Sequence, residues 1–369
     1  MCEDCTGAVC RERKAQGRMI KECDFYGIRA VVLSNDKMQV RILPGKGADI
    51  YQILLLPEKV TLLYNQEENL PCYQERNLYQ ERLQHYSQDN IGGWQDVVPG
   101  YGRYGNTVIS EKPVGIAATV GWKVMWEGEA EDAEEVCLSV DIPDFPLHLT
   151  KWIGLNEEGL YVKEQIRNDG TDEAAVTWTQ HSAFGGNFLA PEVAVTYPGE
   201  KILLSSLYAS HGGCIEEYVK PIKAVPMPDG TVYDMTRMRP QMDDGQLVFT
   251  MKAEEGCFGM FHEKEKVGFR MKWEKEIFPY IRCWYRNDPQ GYALAVEPCN
   301  YYYSFLFFGY NKKAEREENQ GKGETRKRKR GRNRCCKRRQ CLRELQSFVC
   351  RWDFLAVERK TSLSCRRRR

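Results

Sequence analysis

The sequence predicts an all-β protein, a large antiparallel β-sandwich with few short helices. Met38, Val40 and Ile42 alternate with polar residues, which is the period of a strand with one buried face. After Trp122, strand-like segments follow one another at the spacing of linked hairpins. No strand-like segment is followed by a long helical pattern, and this disfavours a parallel α/β sheet.

The first part of the chain shows how these strands connect. The turn-forming run Pro44–Gly47 follows Met38–Ile42 and leads into a second strand at Ile50–Leu56. The polar segment Gln66–Asn90 is rich in Glu, Gln, Arg and Leu, so it predicts a short helix or a long loop that covers one end of the sheet. Ile91–Gly105 is interpreted as a glycine-rich loop over a cleft.

This loop contains Gly100, Gly102 and Gly105 at the spacing of the dinucleotide-binding fingerprint. That fingerprint requires a strand before it and a helix after it. Pro99 precedes the first glycine, and Asn106–Glu111 lacks helical periodicity. We therefore interpret the match as accidental and expect no nucleotide site here.

The later part of the chain continues the same pattern. A turn at Asn156–Gly159 joins two long strand-like segments into a hairpin. The strands predicted beyond Trp122 are Val136–Ile142, Leu147–Leu155, Leu160–Arg167, Val267–Trp273, Ile281–Arg286 and Tyr292–Glu297.

Length and charge predict three regions. The chain has 369 residues, 42% of them hydrophobic, which is enough for one large core. Residues 311–369 hold 22 Lys and Arg against 7 Asp and Glu, which leaves 31 against 45 in the rest. We predict an N-terminal extension (1–24), a sandwich domain (25–310) and a basic tail (311–369), which we expect to be disordered except for Leu342–Leu355.

The charge distribution and the cysteines limit the classes of partner. The acidic body argues against a nucleic-acid surface on the folded part, although the tail could contact phosphates. No apolar window of about 18 residues and no signal-peptide pattern occurs, so we expect a cytoplasmic protein without a membrane segment. The 15 cysteines are expected to be reduced thiols. Cys2, Cys5 and Cys10 could form half a zinc site, but no second pair stands nearby.

Two residues are candidates for acid and base chemistry. His181 follows the strand-like run Thr177–Gln180 and precedes the Gly185-Gly186 turn, where a histidine can face a cleft. Glu297 ends an apolar strand directly before Pro298. Either residue alone could equally be an ordinary core, edge or rim side chain.

Four segments in order strengthen this interpretation, because together they resemble the aldose 1-epimerase (galactose mutarotase-like) superfamily over roughly residues 25–300. They are Leu43-Pro44-x-x-Gly47-Ala48, Gly92–Pro99, Asn168 with Gln180–Phe184, and Phe278-Pro279-Tyr280 with Trp284 and Glu297-Pro298. The resemblance implies a supersandwich of antiparallel strands with a site for a small-molecule sugar.

The resemblance also implies a reaction. Opening a pyranose ring needs a base for the anomeric hydroxyl and an acid for the ring oxygen. The residue that matches the base of the family is Glu297, and the one that matches the acid is His181. After rotation about the C1–C2 bond their roles reverse, and neither a metal nor a nucleotide cofactor is implied.

Further residues are predicted to bind the sugar. Trp94, Trp178 and Phe184 could provide an aromatic floor, although buried aromatic residues are more often core. Arg103 and Arg270 are the candidates for the substrate-binding arginine of the family. The full set of predicted binding residues is Trp94, Gln95, Asp96, Arg103, Trp178, Phe184 and Arg270.

Two departures from the family pattern leave alternatives open. Val114 stands where many relatives have a second active-site histidine, and valine cannot hydrogen-bond a sugar. Arg103, His85 or another group could substitute, or the protein could be a non-catalytic carbohydrate-binding sandwich. After Glu297 the chain lacks the usual closing segment, and a shift of the reading frame is one hypothesis that translation of the coding DNA would test.

Overall fold

The structure is a computed structural model, and it describes most of the chain up to Tyr301 together with two short stretches near the C-terminus. The described residues are 11–15, 18–100, 102–110, 115–125, 135–204, 218–226, 230–238, 246–288, 291–301, 341–342 and 346–356.

Strands dominate the described residues. Two short α-helices are present, α1 (Leu70–Glu75) and α2 (Tyr79–His85), with two 3-10 turns at Glu67–Asn69 and Ile116–Thr119. The strands up to residue 184 are β1 (Arg11–Ala15), β2 (Arg18–Phe25), β3 (Ile28–Ser34), β4 (Met38–Leu43), β5 (Asp49–Leu55), β6 (Val60–Thr61), β7 (Trp94–Val97), β8 (Gly102–Tyr104), β9 (Thr107–Ser110), β10 (Lys123–Met125), β11 (Glu135–Asp141), β12 (Leu147–Asn156), β13 (Gly159–Asn168), β14 (Ala174–Val176) and β15 (Thr179–Phe184). The later strands are β16 (Val193–Thr196), β17 (Lys201–Leu204), β18 (Tyr218–Pro221), β19 (Val225–Pro226), β20 (Val232–Tyr233), β21 (Gln246–Lys252), β22 (Cys257–His262), β23 (Val267–Trp273), β24 (Tyr280–Asp288), β25 (Gly291–Cys299), β26 (Cys341–Leu342) and β27 (Gln346–Ala356).

These strands form two main antiparallel sheets. Within the described residues the first sheet has 13 strands in the order β1-β2-β3-β4-β5-β7-β15-β25-β24-β21-β17-β18, with β6 beside β5. The second has eight, in the order β10-β11-β12-β13-β27-β23-β22-β16. Smaller sheets pair β26-β14-β8-β9 and β19-β20. The predicted all-β, antiparallel architecture is therefore confirmed.

One predicted segment differs from the structure: Ile91–Gly105, interpreted as a glycine-rich loop, contains β7 and β8. The polar segment Gln66–Asn90 contains both α-helices, as one of the two alternatives for it predicted. The accidental nature of the glycine fingerprint is confirmed, because Gly102 lies in β8 and the chain after Gly105 forms β9 rather than a helix.

The ends of the predicted sandwich domain differ from the observed sheets. The predicted boundary at residue 24 falls inside β2, which pairs with β3 along its whole length. Ile20, Cys23 and Phe25 of β2 are buried, so this strand packs as part of the sheet. The predicted N-terminal extension therefore contributes two strands to the first sheet.

At the other end, β27 comes from the basic tail. It lies between β13 and β23, with register pairs such as Val162 with Cys350 and Phe269 with Phe354. This strand overlaps Leu342–Leu355, the part of the tail that was expected to be the exception to disorder. RKRKR at Arg326–Arg330 lies outside the described residues.

The core lies between the two main sheets. Phe184 of β15 has no exposed surface, and its ring is stacked 4.7 Å from Phe269 of β23 and 6.0 Å from Phe258 of β22. Trp178 is 2% exposed and meets Phe278 edge to face at 5.3 Å. Aromatic side chains thus connect the first sheet to the second through a dry interior.

Gly92 allows β7 to approach the segment around Tyr64 closely. Its φ of +76° lies in the left-handed region, and a Cβ here would come within 2.1 Å of the Tyr64 carbonyl oxygen. The backbone N–H of Gly93 donates to that same oxygen at 2.8 Å. The glycine pair therefore sets the entry of the chain into β7, which carries three of the predicted site residues.

Some expectations concern groups that the structure describes only in part. None of the helices in the described ranges is long and apolar enough to cross a membrane. Among the same residues, no group of three or more His, Cys, Asp or Glu side chains is arranged to hold a metal ion. Cys2, Cys5 and Cys10 of the possible half zinc site lie outside the described residues.

Candidate functional site

The two predicted acid and base residues lie side by side on adjacent strands of the first sheet. Ser182 of β15 is opposite Val296 of β25, which places His181 beside Glu297. His181 Nε2 is 3.5 Å from Glu297 Oε1. The histidine side chain is 21% exposed and the glutamate side chain 1%. Solvent therefore reaches the imidazole, whereas the carboxylate lies beneath the surface.

Arg282 holds the other side of the Glu297 carboxylate. It is directly opposite Glu297 in the β24–β25 hairpin, and its Nη1 donates to Glu297 Oε2 at 3.2 Å. A charge-assisted hydrogen bond to one carboxylate oxygen restrains the orientation of the group. Arg282 thus directs the remaining oxygen, Oε1, toward His181.

Gln95 adds a fourth strand to the row of residues formed by His181, Glu297 and Arg282. It is the register partner of His181 in β7, so Gln95, His181, Glu297 and Arg282 follow one another across β7, β15, β25 and β24. The Tyr86 hydroxyl donates to Gln95 Oε1. Burial raises the pKa of Tyr86 well above its usual range, and nearby carboxylates add to this effect, so the hydroxyl remains a donor.

Two polar atoms of the pair have no hydrogen-bond partner among the described residues. They are Glu297 Oε1 and His181 Nδ1, both of which are buried. The 3.5 Å separation of Glu297 Oε1 from His181 Nε2 exceeds the usual 2.7–3.2 Å of an N–H···O bond. A buried acceptor without a partner costs free energy, and a ligand hydroxyl between the two groups would supply one.

The thiols beside this row do not provide a nucleophile. Cys299 is two residues beyond Glu297 on β25, and burial together with the Glu297 charge raises its pKa to about 12. The same two causes raise the pKa of Cys283 well above its usual range. Because the thiolate is the reactive form, these buried cysteines are inert near neutral pH.

The structure places two neighbours of Gln95 on the opposite side of the sheet. Trp94 and Asp96 alternate with Gln95 along β7, and their side chains reach into the interior. Trp94 Nε1 donates to Gln180 Oε1 at 2.6 Å, and Asp96 is 1% exposed. Neither side chain can therefore touch a sugar that binds at the face of His181.

The remaining predicted binding residues lie in the core or on other strands. Trp178 and Phe184 belong to the core described above, so they do not form an open aromatic floor. Arg103 is exposed on β8 in a separate sheet, and Arg270 lies on β23 of the second sheet. Each sits on an element that does not adjoin the His181 strand.

His85 was one candidate to replace the missing second histidine. His85 ends α2, and its Nδ1 is 2.9 Å from Gln88 Oε1. Val114 itself lies outside the described residues. A polar residue that the structure places next to His181 is Gln95, its register partner in β7.

Directly behind His181 lies a set of buried polar residues, the interior cluster, formed by Asp96, Lys151, Glu164 and Gln180. Lys151 and Glu164 are register partners in the β12–β13 hairpin, and Asp96 and Gln180 are register partners in β7 and β15. The two cross-strand pairs face each other between the sheets. Each of the four residues is less than 5% exposed.

Short contacts connect the members of the interior cluster. Lys151 Nζ is 2.6 Å from Asp96 Oδ2 and 3.1 Å from Glu164 Oε1. Gln180 Nε2 donates to Asp96 Oδ1 at 2.7 Å and to Glu164 Oε2 at 2.6 Å. Burial and the neighbouring Asp96 carboxylate raise the pKa of Glu164 well above its usual range, with Lys151 opposing them.

A second buried ion pair, Lys46 with Asp49, lies close to the interior cluster. The two side chains are 4% and 0% exposed. Burial raises the pKa of Asp49 from 3.8 to about 6, although the Lys46 ammonium opposes this shift. The charges of Lys151 and Asp96 also act on Asp49, so the two sets of buried charges are coupled.

This raised pKa predicts a pH dependence of stability. The native state holds the Asp49 proton more tightly than the unfolded chain, so its stabilising contribution is complete below about pH 4 and is lost as pH rises through about 6. The expected loss is about 3 kcal/mol. Urea unfolding across this interval should show this loss in the wild type, and the fall in the free energy of unfolding should be smaller by the same amount in Asp49→Asn. The exposed Asp36→Asn should retain the slope, and equal slopes in all three proteins would contradict the assignment.

Sequence reasoning missed Arg282, Lys151 and Glu164, although hairpin register carried a signal for them. Asp288 pairs with Gly291 in the β24–β25 hairpin, and counting back along both strands from this pair aligns Arg282 with Glu297. The turn at Asn156–Gly159 likewise pairs Lys151 with Glu164. Both of the latter are charged residues at inward positions of alternating strands, a pattern that calls for a buried partner.

Comparison with solved structures shows the same fold in proteins of low sequence identity. A proposed aldose 1-epimerase from Klebsiella pneumoniae matches with a TM-score of 0.62 at 14% identity, covering 93% of this chain and 84% of that one. A galactose mutarotase-like protein from Clostridium acetobutylicum matches at 0.56 and 12%, covering 91% and 98%. Another from Lactobacillus casei matches at 0.54 and 12%, covering 88% and 100%. The chain therefore has the galactose mutarotase-like fold.

Comparison with curated proteins and with family models identifies one family of unknown function. No curated protein matches the chain. A family model described as a domain of unknown function, DUF4432, matches residues 133–323, which is more than half of the chain and includes both His181 and Glu297. The chain belongs to the DUF4432 family.

Proposed function

We propose that this protein is a mutarotase-like isomerase that interconverts the α and β anomers of a hexose. The observation that supports this proposal most directly is the 3.5 Å distance between His181 Nε2 and Glu297 Oε1, on the face of the first sheet where solvent reaches the imidazole. Proteins with the same fold include a proposed aldose 1-epimerase and galactose mutarotase-like proteins. A small-molecule sugar is accordingly the proposed substrate.

Two proton transfers open the ring. Glu297 Oε1 accepts the proton of the anomeric hydroxyl, and protonated His181 donates the proton on Nε2 to the ring oxygen. The electron pair of the C1–O5 bond goes to that oxygen as the bond breaks, and the anomeric oxygen becomes an aldehyde. Rotation about C1–C2 turns the other face of the aldehyde toward the ring hydroxyl.

Ring closure reverses the two roles. His181 takes the proton of the ring hydroxyl, and Glu297 returns its proton to the aldehyde oxygen as the C1–O5 bond forms again. The two residues end in their starting protonation states, so no further reactant is needed. Arg282 supports both halves of the cycle because it keeps Oε2 of Glu297 occupied and Oε1 available.

Polarimetry or NMR of freshly dissolved α-D-galactose and α-D-glucose tests this proposal. We expect the protein to bring the anomers to equilibrium faster than buffer alone, and His181→Ala to lose that acceleration because the acid is gone. His148→Ala, which changes a histidine on the second sheet, is the matched control and should keep it. Equal rates for wild type and His181→Ala, after subtraction of the uncatalysed rate, would refute the proposal.

The same experiment separates catalysis from the alternative, a non-catalytic carbohydrate-binding sandwich. In that case calorimetry would detect sugar binding while the anomer ratio relaxed at the buffer rate. Nucleic-acid binding by the basic tail stays a prediction. Deleting residues 311–369 would not test it cleanly, because the deletion also removes β27 from the second sheet.

A further inference from the structure

The interior cluster has an imbalance of charge that the proposed reaction does not use. It contains two carboxyl groups, Asp96 and Glu164, and one ammonium group, Lys151. Their side chains are 1%, 5% and 0% exposed, so water does not compensate the excess negative charge. An uncompensated buried charge is costly, and a carboxyl group normally avoids this by taking up a proton.

No second cation contacts the interior cluster among the residues that the structure describes. Lys46, the neighbouring buried cation, already has its own carboxylate in Asp49. On β27 the residue opposite Glu164 is Phe348, which carries no charge. On the far side of β15, Glu297 is paired with Arg282.

The hydrogen bonds within the interior cluster bring its two carboxyl groups together. Gln180 Nε2 has two hydrogens, and both are donated, one to Asp96 and one to Glu164. Its Oε1 accepts from Trp94 Nε1 at 2.6 Å. The amide is therefore fixed by three partners, and a single nitrogen holds the Asp96 and Glu164 carboxyl groups next to each other.

We propose that the interior cluster holds one proton between Asp96 and Glu164, carries no net charge, and uses Lys151 as a positioning residue for His181. Gln180 and His181 are consecutive in β15 and point to opposite faces of the sheet, so fixing the Gln180 amide fixes the backbone that carries the imidazole. Asp96 acts in the same way on Gln95, the register partner of His181. The positioning role rests on the proposed function, whereas the shared proton does not.

The shared proton can be detected without any activity. Infrared spectroscopy at pH 8, where Asp49 with its pKa of about 6 is ionised, should show the carbonyl band of a protonated carboxyl group in the full-length protein. Glu164→Gln should remove this band, because Asp96 and Lys151 then balance each other. The exposed Glu263→Gln is the matched control and should leave the band in place. No band in the wild type, or a band that persists in Glu164→Gln, would overturn the charge assignment.

The effect of the interior cluster on His181 can be measured by NMR as the midpoint pH at which the imidazole signals titrate. The signals of His181 are identified as those lost in His181→Ala. Lys151→Met removes the cation behind the strand. The interior cluster then either carries an extra negative charge, which should move the midpoint up by about one pH unit, or takes up a second proton, which should strengthen the infrared band. Glu164→Gln should leave the midpoint unchanged. The double variant Lys151→Met with Asp96→Asn should restore it, because the interior cluster is neutral again.

These outcomes distinguish the proposal from a purely structural role of Lys151. If Lys151→Met does not fold, the infrared band in the wild type and its loss in Glu164→Gln still test the charge assignment. A shifted midpoint in Glu164→Gln would overturn the proposal, as would an unchanged midpoint together with an unchanged infrared band in folded Lys151→Met. If no anomer interconversion is found for the wild type, the infrared result and these midpoints still stand.

Discussion

Replacement of Glu297 by glutamine is expected to lower kcat for anomer interconversion by about 10²–10⁴, the usual contribution of a positioned general base. Glutamine has nearly the same shape and can still accept a hydrogen bond from Arg282, so the site should keep its form. KM should change little, because the loss concerns proton transfer rather than sugar binding. Steady-state polarimetry over a range of sugar concentrations separates the two constants.

A matched substitution shows whether this loss is specific. Glu263→Gln changes a carboxylate that is 47% exposed and paired with Arg237, far from β25 in the sequence. It should leave kcat and KM at their wild-type values. If Glu297→Gln retained kcat within about threefold of the wild type, the assignment of Glu297 as the base would be wrong.

Replacement of Phe184 by alanine is expected to destabilise the protein by about 3–5 kcal/mol without a specific effect on sugar binding. Its ring is fully buried and stacked on Phe269, so truncation leaves a cavity between the sheets. Urea unfolding followed by tryptophan fluorescence would measure the free energy of unfolding. Sugar affinity of the remaining folded protein should equal that of the wild type.

Phe184→Leu provides the comparison for this prediction. Leucine fills most of the same space, and the expected loss is below about 1.5 kcal/mol. A weakened sugar affinity in both variants, with the free energy of unfolding unchanged, would contradict this prediction. It would indicate that Phe184 binds the sugar.

Much of the fold could be predicted because strand periodicity and turns are local signals. The predicted strand Val267–Trp273 has the observed bounds, and Leu147–Leu155 differs from the observed β12 by one residue. The missed parts lie at the ends. The predicted boundary falls inside β2, and β27 comes from a segment whose composition suggests no core. The partners of β27, β13 and β23, are distant in sequence, and such pairing leaves no local signal.

The site was predictable only in part, for a physical reason that β7 illustrates. All four of its residues are buried, so Trp94, Gln95 and Asp96 show no polar and apolar alternation from which to assign faces. All three were therefore predicted to bind sugar, whereas the structure places only Gln95 beside His181. Family resemblance selected His181 and Glu297, and residue type alone could not exclude Trp178 or Phe184 from the site.

The position of β27 has a consequence for the order of events during synthesis. In the second sheet β27 lies between β13 and β23. It joins the group β10–β13 to the group formed by β16, β22 and β23, and both groups are synthesised before residues 346–356. Until those residues have left the ribosome, β13 and β23 each present an unpaired edge. Because β13 carries Glu164, the interior behind His181 is also incomplete until then. The nascent chain therefore depends on β27 to protect both edges from intermolecular pairing.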